Sequence, residues 1–111
     1  LTPYFFRVFH IAMIDNNFEA LGQLLGCYFH QDWPDEFEND TVALQAIIDC
    51  ESKSQLMGGA KEIDFLLNLN LSEVAVKMIL VHTIGCYYDP ASHGINYQQW
   101  LKVVREKFIG A

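Results

Sequence analysis

Basic residues are scarce in this 111-residue chain: seven Lys and Arg stand against fourteen Asp and Glu, for a formal net charge of −7. Phosphate backbones and anionic lipid are bound by Lys and Arg that displace counterions, so the shortage argues against nucleic acid or a membrane surface as direct partners. A basic partner is the natural complement. Cysteine is sparse too. Cys27, Cys50 and Cys86 form an odd set with no CxxC pair, which excludes a disulfide framework and implies a reducing, cytoplasmic setting. Each sits among apolar neighbours and is expected as a small buried hydrophobe.

Long hydrophobic runs are also missing. The opening LTPYFFRVFHIAMI has no basic leader, and Arg7 and His10 interrupt it, so no secretory signal is expected. The later stretch Val74 to Ile84 contains Lys77, His82 and Thr83 and falls far short of the ~20 residues a membrane-spanning helix needs. There is no Ser-, Gln- or Pro-rich linker and no internal repeat.

Catalytic signatures are absent: the chain has no HExxH, GxSxG, P-loop or GxGxxG. Cys27 and Cys50 fall late in their expected helices. Cys86 follows the helix-ending Gly85, where the negative end of the helix dipole raises a thiol pKa. No enzyme, catalytic residue or cofactor is expected. Among His10, His30, His82 and His93, only Cys27 with His30 resembles a ligand pair, and zinc needs about four convergent ligands. No metal is expected, although a small metal-dependent enzyme using Cys27, His30 and His93 is a third reading that bound zinc would reveal. His82, on an apolar helix, reads as a core histidine.

What is present suits one core: 51% of residues are apolar, and a chain this long buries roughly two-thirds of its unfolded surface. Residues 1–111 are read as a single domain. The chain opens on Leu rather than Met, which leaves residues 1–12 as a non-native or variable extension ahead of Met13. The fold class is mainly α, a compact bundle-like domain of about five to seven helices. Phe18, Leu21, Leu25, Tyr28 and Phe29 carry helical spacing, predicting a helix over about 17–30 capped by Asn16 or Asn17, with Gly22 and Gly26 marking a close neighbour. Trp33 and Pro34 break it, and Pro34 opens a short new helix. A helix from a cap at Asp40 or Thr41 runs to about Glu51. Gly58 and Gly59 are expected to end the helix after Ser52, leaving a short one from about Ala60 to Asn68. Ser72 caps a helix that Gly85 stops, and its nearly all-round apolar character makes it the expected buried centre. CYYDPASHGIN is a turn-rich loop, and Asn96 with Gln99 form a capping box for the last helix. Residues 1–14 fit strand or helix and are read as helix.

Charge is lopsided. Residues 1–51 hold nine acids and one base, Arg7, whereas residues 52–111 hold five acids and six bases. Asp32, Asp35, Glu36, Glu38, Asp40, Asp49 and Glu51 follow one another without an intervening Lys or Arg. Because Tyr28, Phe29, Trp33 and Phe37 are interleaved with or precede them, the stretch has the make-up of aromatic anchors ringed by steering charge.

The segment Leu24 to Trp33, LLGCYFHQDW, resembles the contact-dependent growth inhibition immunity proteins (CdiI type), whose Tyr-Phe-His-Gln-Asp-Trp signature stands entire at Tyr28 to Trp33. EIDFLLNL from Glu62, GCYYDP from Gly85 and the Tyr-x-x-Trp-Leu of Tyr97 to Leu101 extend the resemblance over about Asp15 to Phe108. It implies a cytoplasmic protein that forms a heterodimer with the C-terminal domain of a cognate toxin and blocks it without catalysis. A ribonuclease-type toxin, first of all one with a ribonuclease A-like fold, is the implied partner, since a cationic nuclease site would be occluded by an acidic surface. The signature Tyr28, Phe29, His30, Gln31, Asp32 and Trp33 is read as structural, with His30 and Gln31 bonding across a helix end and Asp32 capping the next helix. Toxin contact is assigned to Trp33, Asp35, Glu36, Phe37, Glu38 and Asp40. The alternative is an acidic helical adaptor domain with no toxin partner.

Overall fold

Four of the helices begin where a side chain can replace the amide acceptors that a helix start lacks. In the computed structural model, which describes residues 18–111, α3 (Asp40–Cys50) is capped by Asn39, whose side chain accepts from the Val42 N–H at 2.9 Å. Ser52 caps α4 (Lys53–Asn68) at 3.1 Å, and Ser72 caps α5 (Glu73–Met78) at 3.2 Å. Asn96 and Gln99 close a reciprocal capping box on α6 (Tyr97–Ile109). The expected cap of α3 at Asp40 or Thr41 is thus shifted by one residue, and Asp40 lies in the first turn.

The other two helices start differently. α1 (Glu19–Leu21) runs on into a π-helical turn, Gly22–Gly26, and α2 (Trp33–Glu36) is a single turn with Pro34 near its start. α5 likewise continues as a π-helical turn, Ile79–Ile84, which ends at Gly85 with φ 85°. A 3₁₀ turn, Pro90–His93, leads to α6. The described residues therefore contain six helices and no strand. Asn16, Asn17 and the reading of residues 1–14 lie outside them.

α1 takes its cap from another helix. Phe18, with φ 55°, stands before it, and the Ala20 and Leu21 N–H groups donate to the carboxylate of Glu62 on α4 at 3.1 and 2.9 Å. A carboxylate at the positive end of a helix is favourable on both hydrogen-bonding and dipole grounds. α4 is one unbroken helix of sixteen residues, so Gly58 and Gly59 do not end it. Two interior glycines cost about 1 kcal/mol each relative to alanine, but contact with α1 needs the one at Gly59. A Cβ on Gly59 would stand 2.5 Å from Leu24 Cδ1 and 3.3 Å from Phe108 Cε2, and one on Gly58 would touch the Ala20 Cβ at 3.5 Å. Tertiary packing overrides the local signal. Gly26 bears out the expectation of close packing, since a Cβ there would collide with the Ile84 carbonyl, whereas Gly22 has nothing within 4 Å.

α4 and α6 pack most extensively against each other, and α1 lies along α4. The core joins Leu21, Leu24 and Leu25 of α1 to Leu56, Ile63 and Leu66 of α4 and to Trp100, Val104 and Phe108 of α6. α5 is not the buried centre. It buries Val76, Ile79, Leu80 and Ile84 but leaves Val74 68% and Met78 53% exposed, because its neighbours cover one face only. His82 is exposed rather than a core histidine. Cys27 and Cys50 are exposed as well, and only Cys86 is buried, where loss of water pushes its thiol up to about 12.

These contacts set opposite signs for two glycine replacements. Gly59→Ala is expected to lower stability by about 1–3 kcal/mol through overpacking. Gly22→Ala should be neutral or raise it by up to about 1 kcal/mol, because helix propensity acts there unopposed. Urea denaturation of both variants checks the pair, and a stabilised Gly59→Ala would contradict the packing described.

Candidate functional site

α1 ends where Phe29 is drawn inward. Its N–H donates to the Leu25 carbonyl at 2.7 Å, and its own carbonyl accepts from Tyr87 N–H at 2.8 Å, which ties the end of α1 to the strand-like segment after α5. The Phe29 ring is fully buried and meets Trp33 edge-on at 5.3 Å and Trp100 at 5.5 Å. Tyr88 completes the cluster, 4.8 Å from Trp100 and 5.7 Å from Trp33. Such offset and edge-to-face pairs each add about 0.5–1.5 kcal/mol beyond area burial.

The turn after Phe29 is organised by His30. Its Nδ1 accepts the Asp32 N–H at 3.1 Å, so the ring proton is on Nε2, which meets Glu36 Oε1 at 2.6 Å. One imidazole thereby braces the turn and the end of α2. Gln31 is exposed and makes no such bond. Asp32 occupies the N-cap position of α2, but its side chain makes no capping bond, because the backbone carbonyl of Asp32 receives the Asp35 N–H and His30 holds the Asp32 amide. The expected side-chain cap is therefore not made: His30 braces the Asp32 amide, and the Asp32 side chain is exposed.

The six residues assigned to partner contact lie on α2 and at the start of α3, in unequal settings. Trp33 and Phe37 are half-buried: Trp33 packs on Phe29 and Tyr88, and Phe37 stacks on Tyr28 at 6.4 Å. Glu36 is bound to His30. Asp40 is half-buried and accepts the indole N–H of Trp100 at 3.3 Å. Asp35 and Glu38 are exposed and engage no other side chain among the described residues. The free negative charge of this face thus rests on Asp32, Asp35 and Glu38, with the aromatic rings beneath.

Two tyrosines brace the same region. The Tyr28 hydroxyl donates to Glu51 at 2.9 Å, and burial followed by the Glu51 charge pushes its pKa upward. Tyr88 is pushed up to about 12, chiefly by burial and then by Asp40, and its hydroxyl bonds His93 Nδ1 at 2.5 Å. Tyr88 and His93 come from the 85–96 loop, which sequence reasoning treated as a turn. The only hint was an aromatic pair directly before Asp-Pro. The described residues contain no group of three or more His, Cys, Asp or Glu that could hold a metal, so Cys27, His30 and His93 do not converge on one. Nor is any described helix long and apolar enough to cross a membrane.

In sequence the chain matches the CdiI immunity protein family over residues 17–108. The chain belongs to that family. It is also similar in structure to a chain in the crystal structure of a CdiA-CT/CdiI complex from Y. kristensenii 33638, with a TM-score of 0.77, 29% identity, and coverage of 84% of this chain and 99% of that one. No curated protein sequence matches significantly. In this CdiI family member the Tyr28–Trp33 segment spans the end of α1, and four of its six side chains, those of Tyr28, Phe29, His30 and Trp33, bond or pack within the protein.

Two outcomes follow for stability. Asp32→Ala should change it by less than about 0.5 kcal/mol, as at an ordinary surface position. His30→Ala should cost about 0.5–1.5 kcal/mol for the lost hydrogen bond to the Asp32 amide, and thermal melts at pH 7 distinguish the two. Tyr88, Tyr97 and Cys86, each pushed up to about 12 by burial, stay neutral in the folded state while the unfolded chain ionises them from their ordinary values of 10.0 and 9.0. The folded state then holds more protons, so stability is full below about pH 9 and falls steadily toward pH 12. Urea midpoints measured between pH 7 and 11.5 should trace that fall, and a flat profile would contradict it.

Proposed function

We propose that this protein binds and neutralises the C-terminal toxin domain of a contact-dependent growth inhibition system, as a heterodimer in the cytoplasm of the cell that makes both. The observation that carries the reading is similarity over nearly the whole length of a chain from a CdiA-CT/CdiI complex, together with the family match. Inhibition is by binding alone, with no catalysis. The partner is read as a basic nuclease, a ribonuclease and first of all one of ribonuclease A-like fold, because phosphate-handling sites are cationic and the first half of this chain is strongly acidic.

In this reading the α2–α3 face covers the toxin's active site. Asp35 and Glu38 present free carboxylates where a substrate would present phosphates, while Trp33 and Phe37 supply the apolar contact between them. Glu36 and Asp40, already engaged by His30 and Trp100, hold that face in shape and add to its field. Charge of one sign against a basic cleft accelerates encounter by about 10 to 1,000 fold at low salt. Packing of the aromatic rings would then set the residence time.

The test uses the toxin domain encoded immediately upstream, with binding kinetics and nuclease activity measured at low and at ~0.5 M salt. Stoichiometric inhibition with tight binding is expected. Asp35→Lys combined with Glu38→Lys should slow kon by about tenfold or more at low salt and leave koff within about threefold, the difference shrinking at high salt. An unchanged kon would remove the acidic face from the mechanism. Failure of the unaltered protein to bind would return the adaptor reading to first place.

A further inference from the structure

A chain of hydrogen-bonding groups runs from the surface of the 85–96 loop into the ring cluster and on to the first turn of α3. Its outer end is His93, which is exposed. The imidazole lies 6.0 Å from the Tyr88 ring at an angle of 29°, and its Nδ1 meets the Tyr88 hydroxyl at 2.5 Å. Ser92 Oγ is 3.4 Å from the same nitrogen but donates its proton to the Asp89 carbonyl at 2.8 Å. Tyr88 is therefore the donor to Nδ1, and a neutral His93 carries its own proton on Nε2. Tyr88 is 2% exposed and packs on Phe29, Trp33 and Trp100, so its hydroxyl is held in place. Burial first and the Asp40 carboxylate next push its pKa up to about 12, and Asp40 Oδ2 in turn accepts the Trp100 indole N–H at 3.3 Å.

Few other charges act on this chain of groups. Asp89, next to Tyr88, bears on both Tyr88 and Tyr97, and it lines one concavity with Lys77 and Glu73 of α5. Glu73 is bound to the Tyr97 N–H. Among the described residues no Lys or Arg forms an ion pair with Asp40, Asp89 or His93. The charge at Asp40 is thus answered by two neutral donors at most, the Trp100 indole and the Tyr88 hydroxyl. Which of its two neighbours the Tyr88 proton serves depends on His93. A neutral imidazole accepts at Nδ1, whereas a protonated one donates from both nitrogens. Once His93 takes a proton, its Nδ1–H is aimed at the Tyr88 oxygen, and the Tyr88 O–H turns to the carboxylate that faces it, Asp40.

Resting on the immunity reading above for the identity of the partner, we infer that His93 and Tyr88 form a hydrogen-bond relay through which protonation of the 85–96 loop weakens the hold of the α2–α3 face on a basic toxin domain. With His93 neutral, Asp40 presents its charge with only the indole bonded to it. With His93 protonated, Asp40 also accepts the Tyr88 O–H, and a cation stands at the far end of the relay. Both changes act against a basic partner. Linkage is reciprocal, so toxin binding in turn disfavours the proton on His93. Affinity is full above the range in which imidazole titrates and falls as pH drops through it. His93 is a positioning residue in this scheme, acting on the face through Tyr88.

Two measurements on the full-length protein test the relay, with His93→Gln, whose side-chain oxygen can accept from Tyr88 without titrating, and Tyr88→Phe, which cuts the relay at its centre. In the free protein the NMR signal of the Trp100 indole N–H should move together with that of the His93 ring between about pH 5 and 8 and stay fixed in both variants. A Trp100 signal that ignores His93 in the unaltered protein would overturn the relay, since Asp40 is then not reached. A Trp100 signal that still follows His93 in Tyr88→Phe would overturn it too, since the charge then acts through space. In the second measurement, Kd for the upstream-encoded toxin domain should rise by about fivefold or more from about pH 8 to about pH 5.5, and His93→Gln should remove most of that rise. The same rise in His93→Gln would assign the pH dependence to another group, such as His30 at Glu36, and overturn the link to binding. Loss of toxin binding by the unaltered protein at every pH would overturn the immunity reading and the link with it, while the Trp100 response decides the relay separately.

Discussion

Close approach of α1 to two other helices is the constraint on which the molecule depends. Along α4 the approach needs Gly59, where any Cβ would press on Leu24, and at α5 it needs Gly26, where a Cβ would strike the Ile84 carbonyl. Glu62 then fastens the start of α1 through two backbone N–H groups. With both ends held, the last residues of α1 have little freedom, and Phe29 can bond Tyr87 across to the segment that follows α5. The 85–96 loop and the short α2 both take their positions from that junction. A one-methyl change at Gly59 is accordingly felt at α1, although it lies on another helix.

The candidate binding face is built in two layers. Rings of Phe29, Trp33, Tyr88 and Trp100 form the lower one and are joined to the main core. Carboxylates form the upper one. Like charges on adjacent turns repel, and this cost is spread rather than removed, because Glu36 finds His30 and Asp40 finds the Trp100 indole while Asp32, Asp35 and Glu38 face water. Exposed charge of this kind contributes little to folding and a good deal to association with an oppositely charged partner. The arrangement suits a protein whose stability comes from aromatic and aliphatic packing beneath a surface left free to be acidic.

Much of the fold was legible in the sequence because its signals are local. The Ser72 cap, the Asn96–Gln99 box and the stop at Gly85 each depend on residues within one turn, and the structure has them where the spacing put them. The misreadings share a cause. Gly58 and Gly59 look like a helix end by propensity, yet α4 runs through both and α1 needs the space that Gly59 leaves. Asp32 looks like a cap by residue type, yet the Asp35 amide goes to the Asp32 carbonyl and not to its side chain. α5 looks central by composition, yet it leaves Val74 and Met78 exposed. Cys27, Cys50 and His82 have apolar neighbours in the chain but water in space.

By itself the sequence determined a mainly α chain of short capped elements, an acidic first half and a signature that points to the CdiI immunity proteins, since composition, periodicity and motif survive without coordinates. Only the tertiary structure decided which carboxylates remain free, which aromatics are core, and that Asp89 and Val74 border one concavity. Those properties arise from side chains far apart in sequence competing for the same neighbours, as Glu62 does at α1 and Trp100 does at Asp40. Pairing across 41 or 60 residues is settled by which packing buries the most apolar surface while satisfying every buried polar group, and no local pattern records that choice.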